Sequence, residues 1–317
     1  MPARVPTLGA PGRTRRVWFV CDVLGIACAA GTWVLVLGAA GVLLRARPLP
    51  AGDAADGLAH GALFHLLAFL APAAHARAML TDPGPVPLGA VPLGAAPGGP
   101  RCPRCGCAQP PRAHHCMVGR RCIRKMDHHC PWVNNGVGEG NRKYFLLFTL
   151  YTALGSLHLL LLLGVPALRG YARGDWDSRS TLTPRASLVF LLLVALKGFL
   201  LGSAMFAAQM RAVCTDRTRI EQLQGERAGP GGVSKWVNLK AVLGHRLSLA
   251  WISPFASPRP QRARGPSAWP DTLPSRLGRH LLNPQRVLKG VSTRSHLVSC
   301  PRTRPPRQRR KKPQAVF

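Results

Sequence analysis

The chain has 317 residues, 47% of them hydrophobic and only 17% charged, and its 43 Lys and Arg against 12 Asp and Glu give a formal net charge of +31. Soluble domains carry about 25% charged residues, so this composition excludes an ordinary soluble domain and favours membrane-spanning segments. The large positive charge predicts a phosphate-bearing partner, which is a nucleic acid, an anionic lipid or an anionic cofactor.

Two apolar runs follow a basic arm at residues 1–16. We predict membrane spans at about 18–44 and 57–80, within a unit at 17–80, because each supplies the roughly 20 residues that cross the hydrocarbon. The first run is longer than the roughly 7–15 apolar residues of a signal peptide, and no clear cleavage site follows it. The second run is the weakest of the predicted spans, being rich in Ala and His.

The next segment, residues 81–144, holds six of the ten cysteines between Cys102 and Cys130. A C-x2-C knuckle is followed within about twenty residues by one His and two further Cys, a pattern typical of structural zinc sites. The candidate ligands are Cys102, Cys105, His115, Cys116 and Cys122. The alternative is a set of buried or redox-active cysteines.

This segment ends in the run Asp127-His128-His129-Cys130, followed by Pro131 and Trp132. An imidazole can take the proton of a thiol, and a carboxylate can orient that imidazole and stabilise its charged form. The run therefore suits an activated cysteine, although adjacency in sequence does not by itself establish the geometry.

Two more spans are predicted at about 145–168 and 186–210, within a unit at 145–212. Gly155 and Ser156 in the third span either widen a cavity for an apolar ligand or allow close packing of helices, and we favour packing. Lys197 in the fourth span either pairs with Asp22, lines a cavity or extends toward the membrane surface. Four such spans separated by basic loops argue against buried helices of a soluble protein.

A region at 213–256 and a basic, Pro-rich tail at 257–317 complete the chain. The tail composition cannot bury a core, so we predict that it is disordered. Its run RQRRKK has the composition of a nuclear-localisation or nucleic-acid-binding patch. Beside four membrane spans, we expect it to bind anionic lipid headgroups rather than nucleic acid.

Loop charge predicts the orientation. The arm, the central segment and the tail are the most basic regions, so we expect both termini and the central segment on the cytosolic side. The two short loops that would face the lumen, at 45–56 and 169–185, also contain arginine, so the central segment decides the orientation. In the reducing cytosol, metal binding or thiol chemistry is favoured over disulfides.

The chain resembles the DHHC family of protein S-acyltransferases (palmitoyltransferases) over roughly residues 15–257. Besides the Asp-His-His-Cys run, TDPG at 81–84 and TRIE at 218–221 are similar to family motifs, with Arg219 where the family has Thr. Asn141 and Phe145 match the Asn-x3-Phe that closes the domain. WFVCDVLGIACAAGTW, KMDHHCPWVNN and WISPF resemble the Golgi-associated subgroup.

The resemblance implies an all-α membrane protein whose four transmembrane helices carry a small cytosolic Cys-rich zinc domain between spans 2 and 3. It also implies two zinc ions, each held by three Cys and one His. The first set falls on Cys102, Cys105, His115 and Cys122. The second falls on Cys116, His129 and positions 119 and 136, which are both Gly here. Cys107 is a weak candidate for a substitute ligand.

The resemblance implies that Cys130 is a nucleophile, His128 its base and Asp127 the residue that orients His128. The acyl group would pass from acyl-CoA to Cys130 and then to cysteines of membrane-associated proteins in the Golgi or endoplasmic reticulum. By their charge alone, Arg120, Arg121, Arg124 and Lys125 are candidates to bind the CoA phosphates or lipid headgroups. Two alternatives remain, which are a weak or inactive relative that binds substrates or partners, and a zinc-dependent nucleic-acid-binding membrane protein.

Overall fold

The computed structural model describes residues 19–46, 54–84, 86, 101–174, 185–225, 234–244 and 246–257. The predicted basic arm at 1–16 and, apart from Ser257, the predicted disordered tail lie outside the described residues. Most of the two predicted luminal loops also lies outside them.

Four helices are long and apolar enough to cross a membrane, as predicted. They are α1 (Val23–Ala46), α2 (Ala54–Leu80), α3 (Arg142–Ala172) and α4 (Arg185–Cys214). The first begins five residues later than predicted, after Asp22, whose carboxylate accepts the backbone N–H of Gly25 at 2.8 Å. The third begins three residues earlier than predicted, because Arg142 and Lys143 are buried against protein partners and not against lipid.

The helix α3 lies between α2 and α4, and α1 packs more lightly on α2. Small residues allow α3 and α4 to approach closely: a Cβ at Gly202 would lie 3.0 Å from the backbone N of Ala153, and one at Gly198 would collide with Ser156. Of the two roles considered for Ser156, a wider cavity or close helix packing, this contact agrees with the packing role that we favoured. A Cβ at Gly155 would lie 3.6 Å from Leu67 of α2.

The segment between α2 and α3 forms two short antiparallel hairpins. The first pairs β1 (Ala113–Cys116) with β2 (Arg121–Arg124), and the second pairs β3 (His128–Cys130) with β4 (Asn135–Val137). A 3-10 turn at Pro131–Val133 joins β3 to β4 and packs against α1. The predicted fold class, a helical membrane protein with a small Cys-rich domain, is confirmed.

After α4, the chain forms two short helices, α5 (Arg219–Leu223) and α6 (Lys235–Leu243), and a 3-10 turn at Leu249–Trp251. This turn and the residues after it lie on α3. The ammonium of Lys143 donates to the carbonyls of Ala250 and Ala256 at 2.6 and 2.8 Å, and the hydroxyl of Tyr151 donates to the carbonyl of Ile252.

Candidate active site and metal centre

The first predicted ligand set comes together at the β1–β2 hairpin. The ligand atoms of Cys102, Cys105, His115 and Cys122 all lie within 4.8 Å of one another. His115 Nδ1 is 3.5 Å from Cys102 Sγ, and the Sγ atoms of Cys105 and Cys122 are 3.6 Å apart. Zn–S bonds of about 2.3 Å place tetrahedral ligands about 3.8 Å apart, so this cluster fits a structural zinc ion.

Cys107 lies beside this first cluster, with its Sγ atom 3.2 Å from that of Cys105. It packs in the same buried group as Cys102 and Cys122. The suggestion that Cys107 completes the second site is therefore wrong, because the turn after the knuckle keeps it with the first.

The second predicted set contains only two ligands. Cys116 Sγ lies 3.6 Å from His129 Nδ1, and it accepts the backbone N–H of Gly119 at 3.2 Å. Gly136 is opposite His129 in the β3–β4 register. A Cβ at Gly136 would lie 2.7 Å from Cδ1 of Ile123, which fills the space where a fourth ligand would extend. These residues do not fit a second tetrahedral zinc ion.

The strand β3 places the side chains of the Asp-His-His-Cys run on two opposite sides. Successive side chains of a strand point to opposite sides, so His128 and Cys130 share one side while His129 is directed to the other, toward Cys116. The predicted division between two reacting residues and one metal ligand is consistent with this alternation.

Asp127, directly before β3, is buried and accepts four hydrogen bonds. Its Oδ2 atom accepts from His128 Nδ1 and Gln209 Nε2, each at 2.8 Å. Its Oδ1 atom accepts from the backbone N–H of Arg219 at 2.8 Å and from Nη2 of Arg142 at 3.4 Å. Burial acts to raise the pKa of Asp127, but these donors outweigh it and hold that pKa well below its usual range.

His128 is fixed between Asp127 and the ring of Phe145, whose centroid lies 5.4 Å from its own. Its Nε2 atom is buried and lies near the thiol of Cys130. Burial acts to lower the pKa of His128, but the bond to Asp127 and the neighbouring Cys130 raise it to about 9. Such an imidazole holds a proton firmly at neutral pH and can give it to a leaving group.

The TRIE segment delivers one of the donors to Asp127. Thr218 caps α5, its hydroxyl accepts the N–H of Glu221, and the Glu221 carboxylate accepts the N–H of Thr218 in return. The same carboxylate binds Nε and Nη2 of Arg112 at 2.5 and 3.0 Å. Because Arg219 reaches Asp127 through its backbone N–H, the Arg in place of the family's Thr does not remove this contact.

The predicted phosphate-binding residues have acidic neighbours. Arg121 binds Asp82 of the TDPG segment at 2.9 Å, and Arg124 binds Glu139 at 2.8 Å. Lys125 lies 3.6 Å from Asp216. Arg120 is exposed. A phosphate would therefore compete with a carboxylate at Arg121, Arg124 and Lys125.

Three buried asparagines anchor the β3–β4 hairpin to the helices. The amide of Asn135 donates to the carbonyls of Ala78, Met79 and Thr81 at the end of α2. Asn141, predicted from the family motif, donates to the carbonyls of Ala78 and Gly136. Asn134 donates to the carbonyl of Val20, before α1.

Sequence reasoning missed Gln209 and Arg142 as partners of Asp127. Gln209 is one of several scattered polar residues in an apolar helix and Arg142 is one of many basic residues, so neither has a spacing that distinguishes it. Pairing with Asp22 is one of the three alternatives predicted for Lys197, and the structure does not show it among the described residues. Its ammonium lies over the indole ring of Trp132, 5.8 Å from the ring centre.

Comparisons with known proteins match the same region. Residues 99–226 match the family model described as DHHC palmitoyltransferase. The chain is 48% identical to human palmitoyltransferase ZDHHC3 over 259 residues, which cover 78% of this chain and 86% of that protein. It is 42% identical to mouse palmitoyltransferase ZDHHC7 over 258 residues, covering 78% of this chain and 83% of the relative. A probable protein S-acyltransferase 13 of Arabidopsis thaliana is 33% identical over 223 residues, covering 61% and 71%.

Proposed function

Because this chain belongs to the DHHC palmitoyltransferase family and is a protein S-palmitoyltransferase, we propose that Cys130 is its nucleophile, His128 its proton carrier and Asp127 the residue that orients His128. One observation carries the assignment. Asp127 binds His128 at 2.8 Å and leaves the other ring nitrogen for the thiol of Cys130. With the triad complete, no observation favours the alternative of a catalytically inactive relative.

In the first step, the Cys130 thiolate attacks the thioester carbonyl of a long-chain acyl-CoA. A bond forms between the sulfur of Cys130 and the acyl carbon, the bond from that carbon to the CoA sulfur breaks, and the leaving thiolate takes the proton from His128. In the second step, a substrate thiol gives its proton to His128 and attacks the acyl-enzyme. Cys130 leaves as the thiolate, and the imidazolium–thiolate pair is restored.

The first cluster would hold one structural zinc ion through Cys102, Cys105, His115 and Cys122. Zinc bound there supplies folding energy to the hairpins that carry the site. We place no zinc at Cys116 and His129, because two ligands cannot close a tetrahedron.

We further propose that the CoA phosphates approach the exposed Arg120 and exchange with carboxylates at Arg121, Arg124 and Lys125. The protein substrates are membrane-associated proteins with cytosolic cysteines, since the site lies where α2 ends and α3 begins. The loop charges support a cytosolic site, and similarity to the Golgi-associated subgroup supports residence in the Golgi or endoplasmic reticulum.

Labelling of the purified full chain with a clickable palmitoyl-CoA tests the proposal. We expect label that hydroxylamine removes, and we expect Cys130→Ser to abolish it because no thiolate remains to attack. Cys28→Ser, a cysteine of α1, serves as the matched control and should label like the wild type. Undiminished label on Cys130→Ser would overturn the assignment. A wild-type chain that binds substrate without taking label would favour the inactive relative.

A further inference from the structure

A buried histidine of the second membrane helix contacts the turn that follows Cys130. His75 lies near the end of α2 and is fully shielded from solvent. Its Nε2 atom is 2.7 Å from the carbonyl oxygen of Trp132, and its Nδ1 atom is 3.0 Å from the indole Nε1 of Trp33 in α1. One imidazole therefore joins the first two membrane helices to the catalytic hairpin.

These two contacts fix the protonation of the ring. An indole N–H can only donate, so Nδ1 of His75 must accept from Trp33. A neutral imidazole then carries its proton on Nε2, where it donates to the carbonyl of Trp132. A doubly protonated ring would set a second N–H against that of Trp33, so the neutral tautomer is the one that the contacts require.

The hydrogen bond acts close to the nucleophile. Cys130 is the last residue of β3 and directly precedes the 3-10 turn at Pro131–Val133. The carbonyl that His75 holds belongs to the middle residue of this turn. The anchors at Asn134 and Asn135 hold the following residues, so the contact from His75 fixes the part of the loop nearest to the thiol.

A row of aromatic rings connects His75 to the catalytic base as well. The rings of His75 and Phe148 meet edge to face with centroids 5.0 Å apart. Phe148 lies 6.4 Å from Phe145, and Phe145 meets His128 at 5.4 Å. His75 thus supports the backbone after the nucleophile and, through two phenylalanines, the ring of the base.

We propose that His75 is a positioning residue for acyl transfer, a neutral imidazole that fixes the Cys130–Trp132 turn against α1 and α2. The inference rests on the proposed roles of Cys130 and His128. It is consistent with the incomplete second metal site, because a hairpin without that metal depends more on its bonds to the helices. Ionisable side chains inside membrane helices are costly and mark function when they persist.

Two substitutions at position 75 separate positioning from packing. Glutamine places its amide N–H near the position of Nε2 and keeps a donor for Trp132, whereas asparagine reaches only the position of Nδ1 and loses that donor. In the full-length chain we expect His75→Asn to slow Cys130 autoacylation by about 10- to 100-fold, with an unchanged KM for palmitoyl-CoA. We expect His75→Gln to recover most of the rate.

His65→Asn is the matched control, because it is the same substitution on the same helix and the described contacts of His65 do not involve the hairpin. It should acylate at the wild-type rate. Trp33→Phe provides a second variant if His75→Asn does not fold, and it should slow autoacylation several-fold because it frees the ring to change tautomer. Thermal midpoints of all variants separate loss of rate from loss of fold.

Wild-type rates for both His75→Asn and Trp33→Phe would overturn the inference, as would equal losses in His75→Asn and His75→Gln that follow their thermal midpoints. If the wild-type chain itself takes no label at Cys130, the proposed function fails instead. The two failures are therefore distinguishable in one set of assays.

Discussion

At the scale of single residues, the two glycines of the second ligand set are not equivalent. A Cβ at Gly119 would lie 3.4 Å from Sγ of Cys116, a contact that a small shift accommodates. A Cβ at Gly136 would instead meet Cδ1 of Ile123 at 2.7 Å. Ile123 packs with Cys116 and Met126 in one buried cluster. An apolar contact has thus taken the place of a metal ligand, and restoring two sulfurs does not by itself restore the space.

This difference predicts a graded response to ligand restoration. The wild type should bind about one zinc ion per chain, and Gly119→Cys with Gly136→Cys should stay below about two, because Ile123 resists the new side chain. Adding Ile123→Val, which removes the Cδ1 atom, should raise the content to about two. Elemental analysis of purified, chelator-washed protein measures this.

Cys102→Ser on the wild-type background is the control, and it should lower the zinc content because it removes a ligand of the first cluster. Two zinc ions in the unmodified chain would contradict the account of the second site. So would a triple variant that binds no more zinc than the wild type.

At the scale of elements, the short helix α5 holds a backbone N–H against the carboxylate of Asp127. Its capping box and the ion pair of Glu221 with Arg112 fix the first turn, and the N–H of Arg219 in that turn reaches Asp127. Burial acts to raise the pKa of Glu221, but Arg112 outweighs it and lowers that pKa, so the carboxylate stays charged at neutral pH. The carboxylate of Asp127 is therefore held in part by a helix that follows the fourth span in the chain.

Glu221→Ala should release this first turn. It removes the carboxylate half of the capping box and a largely buried ion pair, so we expect a loss of about 1–3 kcal/mol in the free energy of unfolding. We also expect at least about a 10-fold slower autoacylation, since Asp127 loses a positioned donor. Stopped labelling assays and thermal melts measure the two effects.

Arg219→Thr is the matched variant in the same helix. The side chain of Arg219 is exposed and only its backbone contacts Asp127, so the rate should stay within about twofold of the wild type. A large loss in Arg219→Thr, or none in Glu221→Ala, would mean that the side chains of α5 act on the site by another route.

The sequence predicts the elements better than it predicts their contacts. Long, mainly apolar runs reveal the four spans, and ligand spacing reveals the first metal cluster. His75 and Gln209 could not be found in this way, because each is one of several polar residues in its helix and the sequence does not show which of them meets the hairpin. The acidic partner of Arg121 lies 39 residues away in sequence, and such distant pairing is set by folding.

At the scale of the whole molecule, the site lies at the end of the helix bundle where α2 ends, α3 begins and α4 ends. The Arg- and Lys-rich central segment lies at this end, and from the positive-inside rule we propose that this end faces the cytosol. On this proposal, acyl-CoA and cytosolic cysteines would reach the site from that side, and the opposite end of the bundle would face the lumen.

Cysteine accessibility tests this orientation. In sealed vesicles with the cytosolic face outward, a membrane-impermeant maleimide should add one adduct to Ala228→Cys beyond those of the wild type. Ala51→Cys and Ser180→Cys should gain theirs only after permeabilisation, because hydrocarbon excludes the reagent. Mass spectrometry counts the adducts. Labelling of Ala51→Cys in sealed vesicles would place the site on the other face.

The hydrogen-bond donors to Asp127 are not all synthesised at the same time. Two of its four donors, Gln209 and Arg219, stand 82 and 92 residues later in the chain. Synthesis runs from the N-terminus, so a nascent chain that has inserted three helices already carries the thiol and the imidazole but lacks these donors. We therefore expect Asp127 to be incompletely positioned until the segment after the fourth helix has folded, so that a nascent chain transfers acyl groups poorly before its synthesis is complete.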